Sequence, residues 1–415
     1  MDIALSAKHQ QILREQTIGE DEPGCRVLRD FETLLNFVGE REIKVSGIHQ
    51  LLPMNLLAEL NAGLSKPLRS GLKRPQQKSY PHIHGLYLLL RASGLSVIGE
   101  AGGQRILSLD REALVSWRGL NATERYFTLL EAWLVRGEGE IIGESRDPLG
   151  SLFKCSTFME RVPDTGLKIA GDRQAEQFTI PYSIGAYNLA LLELFGCVSI
   201  TEGQPETGKG WVIARIKRTP FGDALFKLLS QHKLAGMKML LEETDEFDDL
   251  VKFGTLQPVL QPYFPEWRGN LSLPADALVD GLYIFKVSLD AKTWRRLAIP
   301  AKLMLDDLSD AILRAFDFDN DHLYEFSYRN RFGALVRVLH PYIEESPSTA
   351  EVAIGEVPLR PGASMEYLFD FGDQWRFDVK LEAIEPADAR VKKPKMLEKR
   401  GQSPPQYPDV DEDEW

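Results

Sequence analysis

The stretch that decides the fold is LMLDDLSDAILRAFDFDNDHLYEF, residues 303–326. Leu305, Leu308, Ile312 and Phe316 recur at helical spacing, which predicts an amphipathic helix with one apolar face. From His322 the period shifts: HLYEFSYRN alternates as a strand does. Upstream, YIFKVSL alternates as a strand and TWRRLAIP reads as a second one ended by Pro300. Downstream, MEYLFDFGDQWRFDVKLEAI predicts a hairpin about Gly372. Several antiparallel strands against one helix make residues 281–415 an α+β domain.

The rest of the 415 residues is too long for a single ordinary core and is predicted to be mainly helical. VLRDFETLLNFVG reads as a helix through Phe31, Leu34, Leu35 and Val38, followed by a short strand at Ile43–Val45 and a helix after Pro53. Next, an order of elements occurs twice: LYLLLRASGL then SVIGE, AGGQ, RILSL and a helix from Asp110; LALLELFGCV then VSITE, GQPETGKG, WVIARIK and a helix after Thr219-Pro220. Helix, hairpin, helix in this order resembles a winged-helix unit, and IKRTPFGDALFKLL is similar to the end of a wing entering its next helix. The expected plan is a helical segment 1–80, a tandem winged-helix-like region 81–233, an acidic and Pro-rich linker 234–280, and the α+β domain.

The net charge of −12 disfavours indiscriminate binding to nucleic acid, but the charge is polarised. Residues 60–99 contain no Asp or Glu, while Lys66, Arg69, Lys73, Arg74 and Lys78 fall there; Arg215, Lys217 and Arg218 lie on the second hairpin. These eight are the candidates for a nucleic-acid backbone or an acidic partner. Base reading would need basic or polar side chains on the helix before the wing. SIGAYNLALLELFG has Glu193 and neither Lys nor Arg, so that helix is expected in a core. Acid collects in residues 242–249 and near the end, in DVDEDE. Cys25, Cys155 and Cys197 are isolated and are expected to be small buried hydrophobes. The opening residues lack a secretory pattern and no apolar run approaches a membrane span, so a soluble cytoplasmic protein without membrane contact is expected.

Tyr283 to Leu289, Trp294-Arg295-Arg296, AFDFDNDHLYEF, YLFDFGDQWRFDV with Trp375, and PPQYP at 404–408 stand in an order that resembles the plasmid pRiA4b ORF-3-like family over about residues 281–410. The resemblance implies a small α+β domain, often carried on plasmids or insertion elements, with no established activity. In that family the hairpin commonly ends W-x-H; here Phe377 stands in place of the histidine.

Asp317, Asp319 and Asp321 alternate as in a calcium loop, but His322 occupies the position that needs glycine and Tyr328 the one that needs a carboxylate. A divalent metal held by Asp319, Asp321, His322, Asp370 and Asp373 stays open, and with it a metal-dependent hydrolase or nuclease. The other reading makes these aspartates helix and turn caps. Trp294-Arg295-Arg296 is expected to form an Arg stacked on Trp and paired with the domain's aspartates, or to grip an anion. No phosphate-loop, nucleophile-elbow or zinc-protease motif is present. The chain is expected to be a non-catalytic binding protein of plasmid or mobile-element type, contacting a protein partner or a nucleic-acid backbone.

Overall fold

The computed structural model describes residues 5–20, 22, 24–101, 104–145, 150–169, 183–241, 252–274, 279–343, 347–388 and 390–407. The acidic stretches 242–249 and 409–414 lie outside the described residues. The chain divides into two compact units, residues 1–98 with 106–274, and residues 275–415 with 99–105. The fold is mixed α+β, and among the described residues no helix is long and apolar enough to cross a membrane.

Along residues 1–274 the order is α1 (Ala7–Glu15), α2 (Arg26–Gly39), β1 (Ile43–Val45), α3 (Met54–Gly63), α4 (Pro81–Ala92), β2 (Ser96–Ala101), β3 (Gln104–Leu109), α5 (Arg111–Gly119), α6 (Ala122–Leu134), α7 (Gly150–Arg161), β4 (Leu167–Lys168), α8 (Ala186–Leu194), β5 (Val198–Glu202), β6 (Ile213–Arg218), α9 (Pro220–Leu241) and α10 (Gln257–Leu260). Small sheets form in the orders β1-β3-β2 and β4-β6-β5, the second antiparallel. PHIHGLYLLLRA is apolar around most of its circumference, so α4 must be enclosed, and every residue from Pro81 to Ala92 is buried. Its closest neighbour is α8, buried from Tyr187 to Leu194. Gly85 allows that approach, since a methyl group there would lie 2.8 Å from Leu191 Cγ.

Helix, hairpin, helix does occur twice, as α4-β2-β3-α5 and α8-β5-β6-α9. The shared glycines have one cause: Gly94 and Gly196 sit at φ +73° and +70° after α4 and α8, the left-handed conformation that ends a helix. At Gly196 a Cβ would also lie 2.2 Å from the Gly24 carbonyl oxygen. Gly196→Ala is therefore expected to cost more than about 2 kcal/mol in urea unfolding; a loss below about 0.5 kcal/mol would contradict this packing.

The Pro-rich stretch behaves differently from the expected linker. Residues 252–274 pack on α6 as part of the first unit. Trp267 is fully buried and stacks on Phe127 at 4.5 Å, with Phe264 edge-on at 4.8 Å. Glu131 accepts from the Gly254 and Leu256 amides at 2.7 and 2.6 Å, and Glu124 from the Gly269 amide at 2.7 Å. Glu124, Phe127 and Glu131 share one face of α6, so an irregular backbone finds its acceptors on a helix.

The second unit contains β7 (Leu282–Ser288), β8 (Trp294–Pro300), α11 (Leu305–Phe316), β9 (Tyr324–Arg329), β10 (Leu335–Leu339), β11 (Ser364–Phe369), β12 (Trp375–Glu385) and β13 (Lys395–Arg400). Its described strands make one antiparallel sheet in the order β10-β9-β11-β12-β7-β8-β13. Alternation puts Phe285, Val287, Tyr367, Phe369, Phe377 and Val379 on the face covered by α11, which returns Leu305, Leu308, Ile312 and Phe316. Each such side chain, fully buried, contributes about 1.5–3 kcal/mol. The Asp307 carboxylate accepts from the Met304 amide at 2.9 Å to start α11, and Asp317, at φ +59°, ends it.

Candidate functional site

The two basic segments come together. The Gly71 amide donates to the Lys209 carbonyl, and the Gly208 amide donates to the Gly71 carbonyl, both at 3.0 Å. Loop 64–76 is thereby joined to the β5–β6 turn through two backbone hydrogen bonds. Glycine is required at this contact, because a Cβ on Gly71 would overlap the Glu206 carbonyl oxygen at 1.8 Å.

The eight basic candidates do not share one role. Lys66 turns inward to Glu193, at 2.8 Å, and Glu202, at 3.3 Å. Arg218 pairs with Asp164 and Asp223, and Arg215 donates to the Thr165 carbonyl. Lys78 reaches the Gly143 carbonyl and Glu144. Arg69, Lys73, Arg74 and Lys217 are exposed and make no ion pair among the described residues.

Behind this surface lies a buried ionic cluster that the sequence pattern did not single out. Glu193, 6% exposed, meets His82 Nε2 at 2.8 Å, Lys66 Nζ at 2.8 Å and Arg26 Nη2 at 3.2 Å. Burial raises the Glu193 pKa, but His82, Arg26 and Lys66 outweigh that and hold it down at about 2. The His82 ring lies edge-on to Trp211 at 5.0 Å, which ties the β5–β6 connection to α4. The signal in the sequence was a lone glutamate within an otherwise apolar helix, which is never buried without partners.

In the second unit, the α11–β9 junction meets the β11–β12 turn. His322 Nε2 is 3.7 Å from Asp321 Oδ1 and 3.6 Å from Asp370 Oδ2. The imidazole is half-buried, edge-on to Phe369 and tilted toward Tyr407. Asp370 adopts φ +57°, and its Oδ1 accepts from the Gly372 amide at 2.8 Å, so the turn is built around its carboxylate. Asp321 accepts from the Tyr407 hydroxyl at 2.5 Å and from Gln406 Nε2 at 3.1 Å. The Tyr407 bond holds the Asp321 carboxyl below its usual range and lifts the Tyr407 phenol to about 12. Gln406 also accepts from the Asp319 amide at 2.6 Å, which explains why PPQYP belongs with this junction.

Of the five candidate metal ligands, the structure brings His322 beside Asp321 and Asp370. Asp319 and Asp373 are exposed and make no ion pair with His322. Among the described residues no group of three His, Cys, Asp or Glu side chains is disposed to hold an ion. Asp321 accepts hydrogen bonds on both oxygens and Asp370 on one. The other reading made Asp319 and Asp321 the helix caps and Asp370 and Asp373 the turn; in the structure the helix ends on Asp317 instead, and the Asp370 carboxylate accepts from the Gly372 amide in the turn.

Trp294-Arg295-Arg296 is also corrected. Adjacent strand residues face opposite sides, so Arg295 leaves Trp294 and enters the core. It is 3% exposed and lies over the Phe316 ring at 4.5 Å. Its guanidinium donates to the carbonyls of Ala315 (2.7 Å), Trp294 (3.0 Å) and Arg400 (2.9 Å) and to Ser403 Oγ (2.7 Å). Trp294 instead receives Lys286, 4.9 Å from the ring centroid, and Arg296 pairs with Glu382 at 2.6 Å. Trp375 packs edge-on to Phe318 at 5.0 Å. Phe377, where the family commonly has histidine, is a core residue against Phe316 at 5.0 Å.

Residues 282–411 match the family described as plasmid pRiA4b ORF-3-like protein. The uncharacterized protein y4hQ of Sinorhizobium fredii (strain NBRC 101917 / NGR234) is 33% identical over 137 residues, covering 31% of this chain and 67% of that protein. A crystal structure of a protein of unknown function, MM3350, from Methanosarcina mazei Go1 is 25% identical, covers 31% of this chain and 73% of its own, and superposes with a TM-score of 0.27, too loosely to carry a structural argument. The chain, through residues 282–411, belongs to the plasmid pRiA4b ORF-3-like family.

Proposed function

We propose that this is a non-catalytic binding protein whose first unit grips the phosphate backbone of nucleic acid without reading its sequence. The observation that supports this is the backbone junction at Gly71, which ties the loop carrying Arg69, Lys73 and Arg74 to the turn of the β5–β6 hairpin, whose β6 strand carries Lys217. Exposed cations on a loop and a hairpin suit phosphates. Both helices that precede the hairpins are enclosed, so neither α4 nor α8 is free to enter a major groove. Winged-helix-like units used in this way contact the backbone alone. The plasmid setting in the family's name suits a protein that handles DNA.

Fluorescence anisotropy with two unrelated duplexes of equal length tests the proposal. Equal affinities for the two are expected. Reversing the free cations (R69E, K73E, R74E, K217E) should weaken binding at least about a hundredfold at low salt. No binding by the unmodified protein at low salt, or no loss in the variant, would reject the nucleic-acid form and leave a protein partner.

A further inference from the structure

The second unit carries an exposed apolar patch at the junction of α11 and β9. Leu323, Phe371 and Tyr407 are 38%, 41% and 49% exposed. They are neighbours: the Asp370 amide donates to the Leu323 carbonyl at 3.0 Å, and the Tyr407 ring is 6.2 Å from the imidazole of His322. Bulky apolar side chains exposed together are what a contact surface presents to a partner.

The charge around the patch selects the partner. Asp317, Asp319 and Asp373 are exposed and have no ion pair among the described residues, while Asp321 and Asp370 pair only with His322. Among the described residues no lysine or arginine forms an ion pair with any of the five, and Arg295 acts on Asp317 only through space. Such a surface repels a phosphate backbone. It complements ammonium or guanidinium groups carried on a segment with apolar side chains, and the Phe371 and Tyr407 rings can receive those cations on their faces.

We propose that this patch docks a Lys/Arg-rich, partly apolar segment of a protein partner, with cations toward the aspartates and apolar side chains on Leu323, Phe371 and Tyr407. The site lies wholly in the second unit and is independent of the nucleic-acid surface.

The probe is a labelled peptide alternating Arg with Leu, titrated with the full chain and read by anisotropy, beside an Arg/Gly peptide of equal charge. Tighter binding of the Arg/Leu peptide is expected. Both D319N/D373N and L323S/F371S should weaken it about tenfold or more, while E40Q/E42Q, which removes two exposed charges elsewhere, should leave it unchanged. Circular dichroism establishes that each variant is folded; the substituted side chains are exposed, so folding should persist. Equal binding of the two peptides, or equal effects of the junction variants and E40Q/E42Q, would overturn the proposal.

Discussion

Glu193→Ala is expected to destabilise the first unit by about 3–5 kcal/mol, because it leaves the cations gathered on one buried carboxylate without their counter-charge. His82 is almost fully enclosed, and Lys66 and Arg26 are held at the edge of the same core. Glu193→Gln keeps the shape and loses the charge, so it should cost nearly as much. pH carries a second signature. The folded pKa of about 2 lies below the ordinary value of 4.5, so the stabilisation is present above about pH 4.5 and is lost as pH falls toward 2. That shift corresponds to roughly 3 kcal/mol. Urea unfolding of the full chain at pH 7 and at acid pH checks both points: the variant should be less stable at pH 7, and its disadvantage should shrink in acid. A disadvantage independent of pH would mean that lost packing, not lost charge, explains the effect.

Arg295→Ala should cost the second unit about 3–4 kcal/mol. One guanidinium satisfies the carbonyl of Ala315 at the end of α11 and that of Arg400 at the end of β13, and it covers the Phe316 ring. Removing it takes the donor from both part-buried acceptors and uncovers the Phe316 ring. Lysine has one compact ammonium and cannot reproduce the planar fork, so Arg295→Lys should recover less than half of the loss. Chemical denaturation followed by tryptophan fluorescence measures both. If the lysine variant matched the unmodified protein, the fork geometry would be irrelevant.

The strands and α11 were legible because alternation and helical spacing are local consequences of burying one face. The family was legible for the same reason, since its separated motifs fall on these elements. Partners across space were not. Asp370 and Asp373 flank the same glycine, and nothing in the spacing says that Asp370 takes the left-handed turn conformation and meets His322. Prolines and fading periodicity marked residues 234–280 as a linker, yet within them the irregular segment 252–274 packs well because a helix offers Glu124, Phe127 and Glu131 on one face. The basic candidates were legible as residues, whereas the inward turn of Lys66 depends on Glu193, more than a hundred positions away.

The measurement that bears most directly on the proposed activity is the salt dependence of duplex binding. With Arg69, Lys73, Arg74 and Lys217 each meeting a phosphate, the logarithm of the binding constant should fall against the logarithm of salt concentration with a slope of about −3 to −4. Reverting one of the four to a neutral residue should reduce that slope by about 1. A slope near zero, or one that the single variants do not change, would contradict binding through this surface.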